Sequence, residues 1–186
     1  NITTNKGNYQ SKTVLITTGS TRRKLDIPGG KEFENKGVVY CASCDGPLFA
    51  GQDVVVIGGG NAGFESAAQL LAYAKSVILL NRSDEFKADE IKVKKVLSNT
   101  NMKAITNAVP SEIKGDKFVT SIVYENSETK EKIEIPVTGV FVEIGLIPTT
   151  YYVEELLELN QYKQIPVDPK TQMTKVPGVW AAGDCT

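Results

Sequence analysis

The chain has no histidine among its 186 residues and only three cysteines. The first absence removes the Ser–His and Cys–His forms of nucleophilic catalysis and most zinc chemistry. Proton handling near neutral pH is left to a carboxylate, a thiol, Lys, Tyr or a cofactor. The scarcity of cysteine argues against a disulfide-stapled scaffold and for a reducing compartment. No apolar run comes near the ~18 residues that mark a membrane span, and no secretory signal pattern opens the sequence. Cytoplasm is therefore the default location. Neither sign of charge is in excess, with 21 basic and 22 acidic residues. That balance gives no reason to expect nucleic acid or an anionic membrane as partner. The length suits one large domain or parts of two.

What is present is concentrated between Cys41 and Gly63, which reads CASCDGPLFAGQDVVVIGGGNAG. A C-x-x-C pair is either a redox couple or half of a zinc site. A structural zinc wants four Cys or His ligands, and beyond Cys41 and Cys44 the chain offers only Cys185. The redox reading is favoured, with Asp45 as the carboxyl that moves a proton to or from a thiolate. Inert thiols are the plain alternative. The glycine string gains weight from its context. Val54 to Ile57 is β-branched throughout and reads as a buried strand, and Phe64, Ala67, Ala68 and Leu71 then recur on one helical face. In such a setting Gly58 makes the tight turn, Gly60 lets backbone approach a pyrophosphate and Gly63 lets helix pack on strand. The first turn of the helix offers free N–H groups and a positive dipole end to phosphate.

Val77 to Leu80 completes strand–helix–strand, the unit of a parallel nucleotide-binding sheet. The residues after that second strand choose the cofactor. An acidic side chain there would accept the 2′-hydroxyl of NADH. The chain has Asn81-Arg82-Ser83, with Lys87 close behind. A guanidinium suits a 2′-phosphate, so the local chemistry leans toward NADPH, with NADH possible; a solvated Arg on a loop is the alternative. Elsewhere Thr13 to Ile16 reads as a buried strand ending at Gly19, Arg22-Arg23-Lys24 as a solvated basic loop, and Pro28-Gly29-Gly30 as a turn or linker. Ile91 to Leu97 is expected to be an amphipathic helix. Phe118 to Tyr124 and Lys132 to Val137 are expected to be antiparallel strands around Asn126-Ser127-Glu128. Val140 to Ile144 reads as another strand, residues 153 to 159 as a short helix, and Val179 onward as a strand running into Gly183-Asp184. The opening lacks Met and the ending stops where a helix would begin, so the sequence reads as a piece of a longer protein.

In this order the residues resemble the low-molecular-weight thioredoxin reductases and their relative, the flavoprotein subunit of alkyl hydroperoxide reductase, which are class II pyridine nucleotide-disulfide oxidoreductases. The matching pieces are Ile16-Thr17-Thr18-Gly19, Cys41 to Gly46, Gly58 to Gly63, Phe86-Lys87-Ala88, Gly145-Leu146-Ile147-Pro148 and Gly183-Asp184. Asn61, Pro47 and Lys87-Ala88-Asp89 look more like the peroxiredoxin-reducing branch. The resemblance implies an α/β fold in which a Rossmann-like nicotinamide-nucleotide domain, a parallel sheet with an antiparallel meander, is inserted in a partial FAD-binding domain. Residues 1–29 and 139–186 would belong to the FAD domain and 30–138 to the inserted one. It implies a homodimeric FAD-dependent enzyme that passes electrons from NAD(P)H to a thioredoxin- or peroxiredoxin-type protein. Cys41 would attack the partner's disulfide, Cys44 would face the flavin and Asp45 would be the acid/base. Gly58, Gly60, Asn61, Gly63, Arg82 and Lys87 would hold the nicotinamide dinucleotide. Gly19, Gly145, Gly183 and Asp184 would line the flavin site. Disulfide and nicotinamide must each reach one flavin in turn, so the family rotates one domain on two linkers, expected here near Pro28-Gly29-Gly30 and Thr138-Gly139. The N-terminal glycine loop for the FAD pyrophosphate is not in the sequence, and residues 1–186 alone are expected to bind FAD weakly. A nucleotide-binding module without turnover is the competing class, separated by flavin absorbance. A flavin-linked ferredoxin–NADP reductase would not need Cys41 and Cys44.

Overall fold

The β-branched run Val54–Ile57 has side chains that pack on both faces of a sheet, and this run becomes the centre of the larger of two units. The computed structural model describes residues 1–186. It divides them into one unit of Asn1–Arg23 with Gly145–Thr186 and another of Lys24–Ile144. The first unit opens with strands β1 (Ile2–Thr4), β2 (Gly7–Tyr9), β3 (Val14–Ile16) and β4 (Ser20–Arg22). The second carries β5 (Val38–Val39), α1 (Ala42–Asp45), β6 (Asp53–Ile57), α2 (Asn61–Leu70), β7 (Ser76–Leu80) and α3 (Glu90–Leu97). It continues with β8 (Met102–Ile105), β9 (Ala108–Gly115), β10 (Val119–Asn126), β11 (Lys132–Pro136) and β12 (Gly139–Val142). The chain ends in the first unit with β13 (Leu146–Pro148) and β14 (Val179–Ala181).

The second unit is built on a parallel sheet of order β5-β12-β6-β7-β8. Alternation along β6 sends Val54 and Val56 into a core shared with Phe64, Ala67 and Leu70 of α2. Val55 and Ile57 pack on the opposite face with Ile113, Ile122 and Tyr124 of the antiparallel meander β11-β10-β9. The expected α/β class with a meander is therefore the fold found. From β6 the chain runs to β7 and β8 on one side, while β12 and β5 lie on the other. Such a reversal of strand order leaves a crevice at the carboxyl ends of the strands, where open α/β sheets bind ligands.

The boundaries differ from the expected ones. Gly139–Val142 is an interior strand, paired with β6 from Gly139↔Val54 to Val142↔Ile57. Its glycine is needed there, because a Cβ at Gly139 would lie 2.6 Å from the Phe49 ring. Pro28-Gly29-Gly30 is a packed turn: the Ile113 N–H donates to the Pro28 carbonyl at 2.9 Å, and a Cβ on Gly29 would meet the Ile113 carbonyl at 2.1 Å. The turn is thus bonded to Ile113 inside the larger unit, and the chain passes between units at 23/24 and 144/145.

The smaller unit holds the hairpin β1-β2, the parallel pair β14-β3 and the antiparallel pair β13-β4. Its core gathers Ile16, Val153, Leu157, Ile165, Val179 and Cys185. Only Ile16 of the expected buried strand is enclosed; Leu15 is 65% exposed. The helix expected over residues 153 to 159 is absent. A 3₁₀ turn at Tyr151–Val153 and the bond from Leu157 N–H to the Val153 carbonyl bury those two side chains. Asn160 then ends the coil, its side-chain oxygen accepting the N–H groups of Tyr162 and Gln164. The basic run Arg22-Arg23-Lys24 is solvent-exposed, as expected, though its first residue is in a strand. Arg22 closes β4, and Lys24 pairs with Glu34 and lies 4.3 Å from the Tyr40 ring centroid. No helix is long and apolar enough to cross a membrane.

Candidate functional site

Cys41 follows β5 at the carboxyl edge of the sheet, and Gly58 leaves β6 at the same edge. Cys41 is the N-cap of α1 and forms a disulfide with Cys44, their Cα atoms 5.3 Å apart. The Cys44 N–H donates to Cys41 Sγ at 3.2 Å. Small residues between the sulfurs allow this turn to seat: Ala42 is buried, and the Ser43 hydroxyl donates to Gln69 of α2 at 2.7 Å. A 3₁₀ turn over Gly46–Phe49, with Pro47 at its start, then drives Phe49 into the core edge-on to Phe141 at 5.2 Å. Cys44 is exposed, while Cys41 and Asp45 are half-buried. Asp45 lines a groove of about 410 Å³ whose rim includes Leu48, Phe118 and Asn35. Leu48 and Phe118 are 73% and 65% exposed. Cys185 is a buried free thiol in the core of the smaller unit.

Three of the four glycines around the loop after β6 have a steric reason, and the fourth, Gly60, has none. Gly58 has a φ of +125°, and a Cβ there would sit 2.2 Å from the Glu143 carbonyl. A Cβ on Gly63 would come 1.8 Å from the Gly58 carbonyl, so α2 starts against the turn itself. Gly59 was not singled out in the sequence. Its missing side chain makes room for Asn81, which would stand 2.4 Å from a Cβ. Gly60, the N-cap of α2, has nothing within 4 Å on its open side and no side-chain cap. The space and the free N–H groups that an anion needs are present together there.

Asn81 is buried, with its amide donating to the carbonyls of Ser83 and Glu85 at 2.9 and 2.8 Å. It shapes the turn that carries Arg82, and its amide N–H groups are spent inside the protein. Arg82 and Lys87 are both exposed. Asn61 accepts the Asp89 N–H at 3.0 Å. Ser66 and Glu143 are a pair that sequence reasoning missed. The Ser66 hydroxyl donates to the Glu143 carboxylate at 2.7 Å beside the same loop, and no local pattern marks two residues so far apart.

In the smaller unit Gly183 and Asp184 line a groove of about 340 Å³ together with Ser20, Pro148 and Gln164. Ser20 donates to the Asp184 carboxylate at 3.0 Å. Gly19 and Gly145 have φ values of +62° and +101° and open space where a side chain would be.

A dithiol-type cystine beside a glycine turn on a parallel sheet defines a class, and comparison with known proteins agrees. The chain belongs to the pyridine nucleotide-disulphide oxidoreductase family, whose model matches residues 1–186. Among curated relatives it is 48% identical over 177 residues to an NADH dehydrogenase of Bacillus subtilis (strain 168). It is 44% identical over the same length to the F component of alkyl hydroperoxide reductase from Staphylococcus epidermidis. In both cases 95% of this chain is covered but 35% of the relative, so the chain spans about a third of their length. Among solved structures, T. acidophilum thioredoxin reductase is similar at a TM-score of 0.88 and 40% identity, covering 98% of this chain and 60% of that one. Lactococcus lactis thioredoxin reductase is similar at 0.86 and 37%, covering 93% and 57%.

Proposed function

We propose that these residues are the nicotinamide-binding and disulfide-bearing portion of a flavin-dependent disulfide reductase. The observation that carries this reading is the Cys41–Cys44 disulfide on the same sheet edge as a glycine turn that leaves open space at Gly60. A reduced nicotinamide supplies a hydride, and opening the disulfide to two thiols consumes that electron pair and two protons. One proton is the hydride's own, and the other comes from solvent through Asp45. Bound FAD would supply the two-electron relay between nicotinamide and disulfide. The residues fit both groups. Gly58 and Gly63 let the turn and α2 close on each other, and Gly60 leaves open space at the start of α2 where the dinucleotide pyrophosphate would lie. Asp184, oriented by Ser20, offers an acceptor to a flavin hydroxyl beside Gly19, Gly145 and Gly183.

Cys44, the more exposed residue of the pair, would be the one to face a bound flavin, and Cys41 would attack the disulfide of the protein substrate. The apolar rim of Leu48 and Phe118 beside Asp45 suits a protein partner. That partner is of thioredoxin or peroxiredoxin type. The similarity to the F component of alkyl hydroperoxide reductase, with Pro47, Asn61 and Lys87-Ala88-Asp89, favours the peroxiredoxin type. Both nicotinamide cofactors bind, with a modest preference for NADPH through Arg82 and Lys87. The name of the Bacillus subtilis relative favours NADH as a second reading. With FAD bound, rotation of residues 24–144 about the crossings at 23/24 and 144/145 would let disulfide and nicotinamide reach it in turn.

The test is anaerobic titration of the full-length protein, carrying its flavin, with NADPH. One equivalent beyond that needed for the flavin should expose two new thiols, mapped to Cys41 and Cys44. A flavin that is reduced while the Cys41–Cys44 disulfide stays intact would overturn the reading.

A further inference from the structure

The segment after β7 carries both cations assigned to the nucleotide, and contacts with the glycine turn set its path. The Lys87 N–H donates to the Gly59 carbonyl at 3.0 Å. Two residues on, the Asp89 N–H donates to Asn61 Oδ1 at 3.0 Å. The Phe86 ring meets Phe64 of α2 edge-on at 5.1 Å. Asp89 turns its carboxylate the other way, capping α3 through the N–H groups of Ile91 and Lys92 at 3.0 and 3.1 Å. Asn61 therefore joins the start of α2 to the start of α3, and the backbone of Lys87 is held at its own N–H by Gly59 and two residues on by Asn61, with its side chain exposed.

We infer that Asn61 is a positioning residue through its Oδ1, which accepts the Asp89 N–H. Its side chain straps residues 86–89 to α2 and so sets where the Lys87 ammonium meets the adenosine-side phosphate of the dinucleotide. The inference rests on the nucleotide reading proposed above. A lysine is a point charge on a flexible four-carbon stem. Its contact with a fixed phosphate depends on how well its backbone is held, because any residual freedom must be given up on binding. Loss of the strap therefore weakens the contact made by Lys87 and leaves the contacts made by the glycine turn. The effect falls on the ratio of NADPH to NADH affinity, since only NADPH carries the 2′-phosphate.

Dissociation constants for NADPH and NADH are to be measured by titration calorimetry on the native chain, N61A, N61D, K87A and N61A/K87A. Losing one hydrogen-bonded restraint should lower the NADPH:NADH affinity ratio about fivefold in N61A. N61D keeps the acceptor oxygen, so its ratio should return to the native value even though its charge weakens both cofactors. The double variant should show no lower ratio than K87A, because both changes remove one contact. An unchanged ratio in N61A or in K87A, or additive losses in the double variant, overturns the strap. A native chain that binds neither dinucleotide overturns the nucleotide reading itself and the strap with it.

Discussion

Substitution of alanine at Gly63 and at Gly60 should separate the fold of the glycine turn from its ligand. At Gly63 the added methyl would lie 1.8 Å from a backbone carbonyl, that of Gly58. That is roughly 1.5 Å short of ordinary contact, and no side chain can rotate to relieve it. Helix propensity favours alanine by about 1 kcal/mol, but overpacking against backbone costs about 1–3 kcal/mol and sometimes more. Gly63 also stands beside the fully buried Phe64 and Ala67, so moving α2 disturbs the core it shares with β6. The clash wins, and Gly63→Ala should destabilise residues 24–144 by about 2 kcal/mol. At about 1–3 kcal/mol per molar urea, the unfolding midpoint should fall by roughly 1 M. Gly60 is the opposite case. Its φ of −93° suits any residue, and a methyl there meets nothing within 4 Å. Alanine is the poorer N-cap by about 0.5–1 kcal/mol, and a similar amount returns from the stiffer unfolded chain. Gly60→Ala should therefore unfold like the native chain, followed by far-UV circular dichroism in urea, but bind NADPH at least tenfold more weakly. Equal stability loss in both variants, or undiminished NADPH binding by Gly60→Ala, would refute this assignment of roles.

Cys41→Ser should remove the disulfide. The native chain should show no accessible thiol before reduction and two after it, while Cys185, buried in its own core, reacts only on denaturation; stoichiometric zinc that leaves together with structure on chelation would defeat the redox reading. Arg82→Ala should cost NADPH about three- to tenfold in affinity and NADH little, the lower figure reflecting an exposed guanidinium; calorimetry with both cofactors checks it, and equal losses for both would show that Arg82 does not read the 2′-phosphate. Asp53 bonds the Ser76 hydroxyl at 2.6 Å and Lys75 at 3.0 Å, and these two partners, Ser76 foremost, lower its pKa. A lowered folded-state pKa contributes stability above the ordinary aspartate value of about 3.9 that is lost as pH falls through the folded value. The stability gap between native chain and Asp53→Asn should be under about 1 kcal/mol at pH 7, as for an exposed pair, and should close in acid; a gap that widens below pH 4 would contradict the assignment.

Local chemistry carried much of this molecule into view before any coordinates. The β-branched run at Val54–Ile57, the helical spacing from Phe64 and the glycines between them specify strand, turn and helix through contacts a few residues apart. The C-x-x-C spacing likewise brings Cys41 and Cys44 within one helical turn, so their pairing needs no distant help. The positions of the boundaries were not legible. Gly139–Val142 reads like any apolar strand, and only its insertion between β5 and β6 shows which unit it completes. Pro28-Gly29-Gly30 has the composition of a linker and is locked because Ile113, far along the chain, bonds it. Residues 153 to 159 carry helical spacing, but a short segment cannot repay helix nucleation alone, and burial of Val153 and Leu157 is met by a single turn. Gly59 and Asn81, Ser66 and Glu143, and Asn61 and Asp89 are pairs made by the closing of a parallel sheet. Strand order decides which loops become neighbours at its carboxyl edge. A sequence read along one dimension does not contain that order, because it is set by the packing of both sheet faces at once.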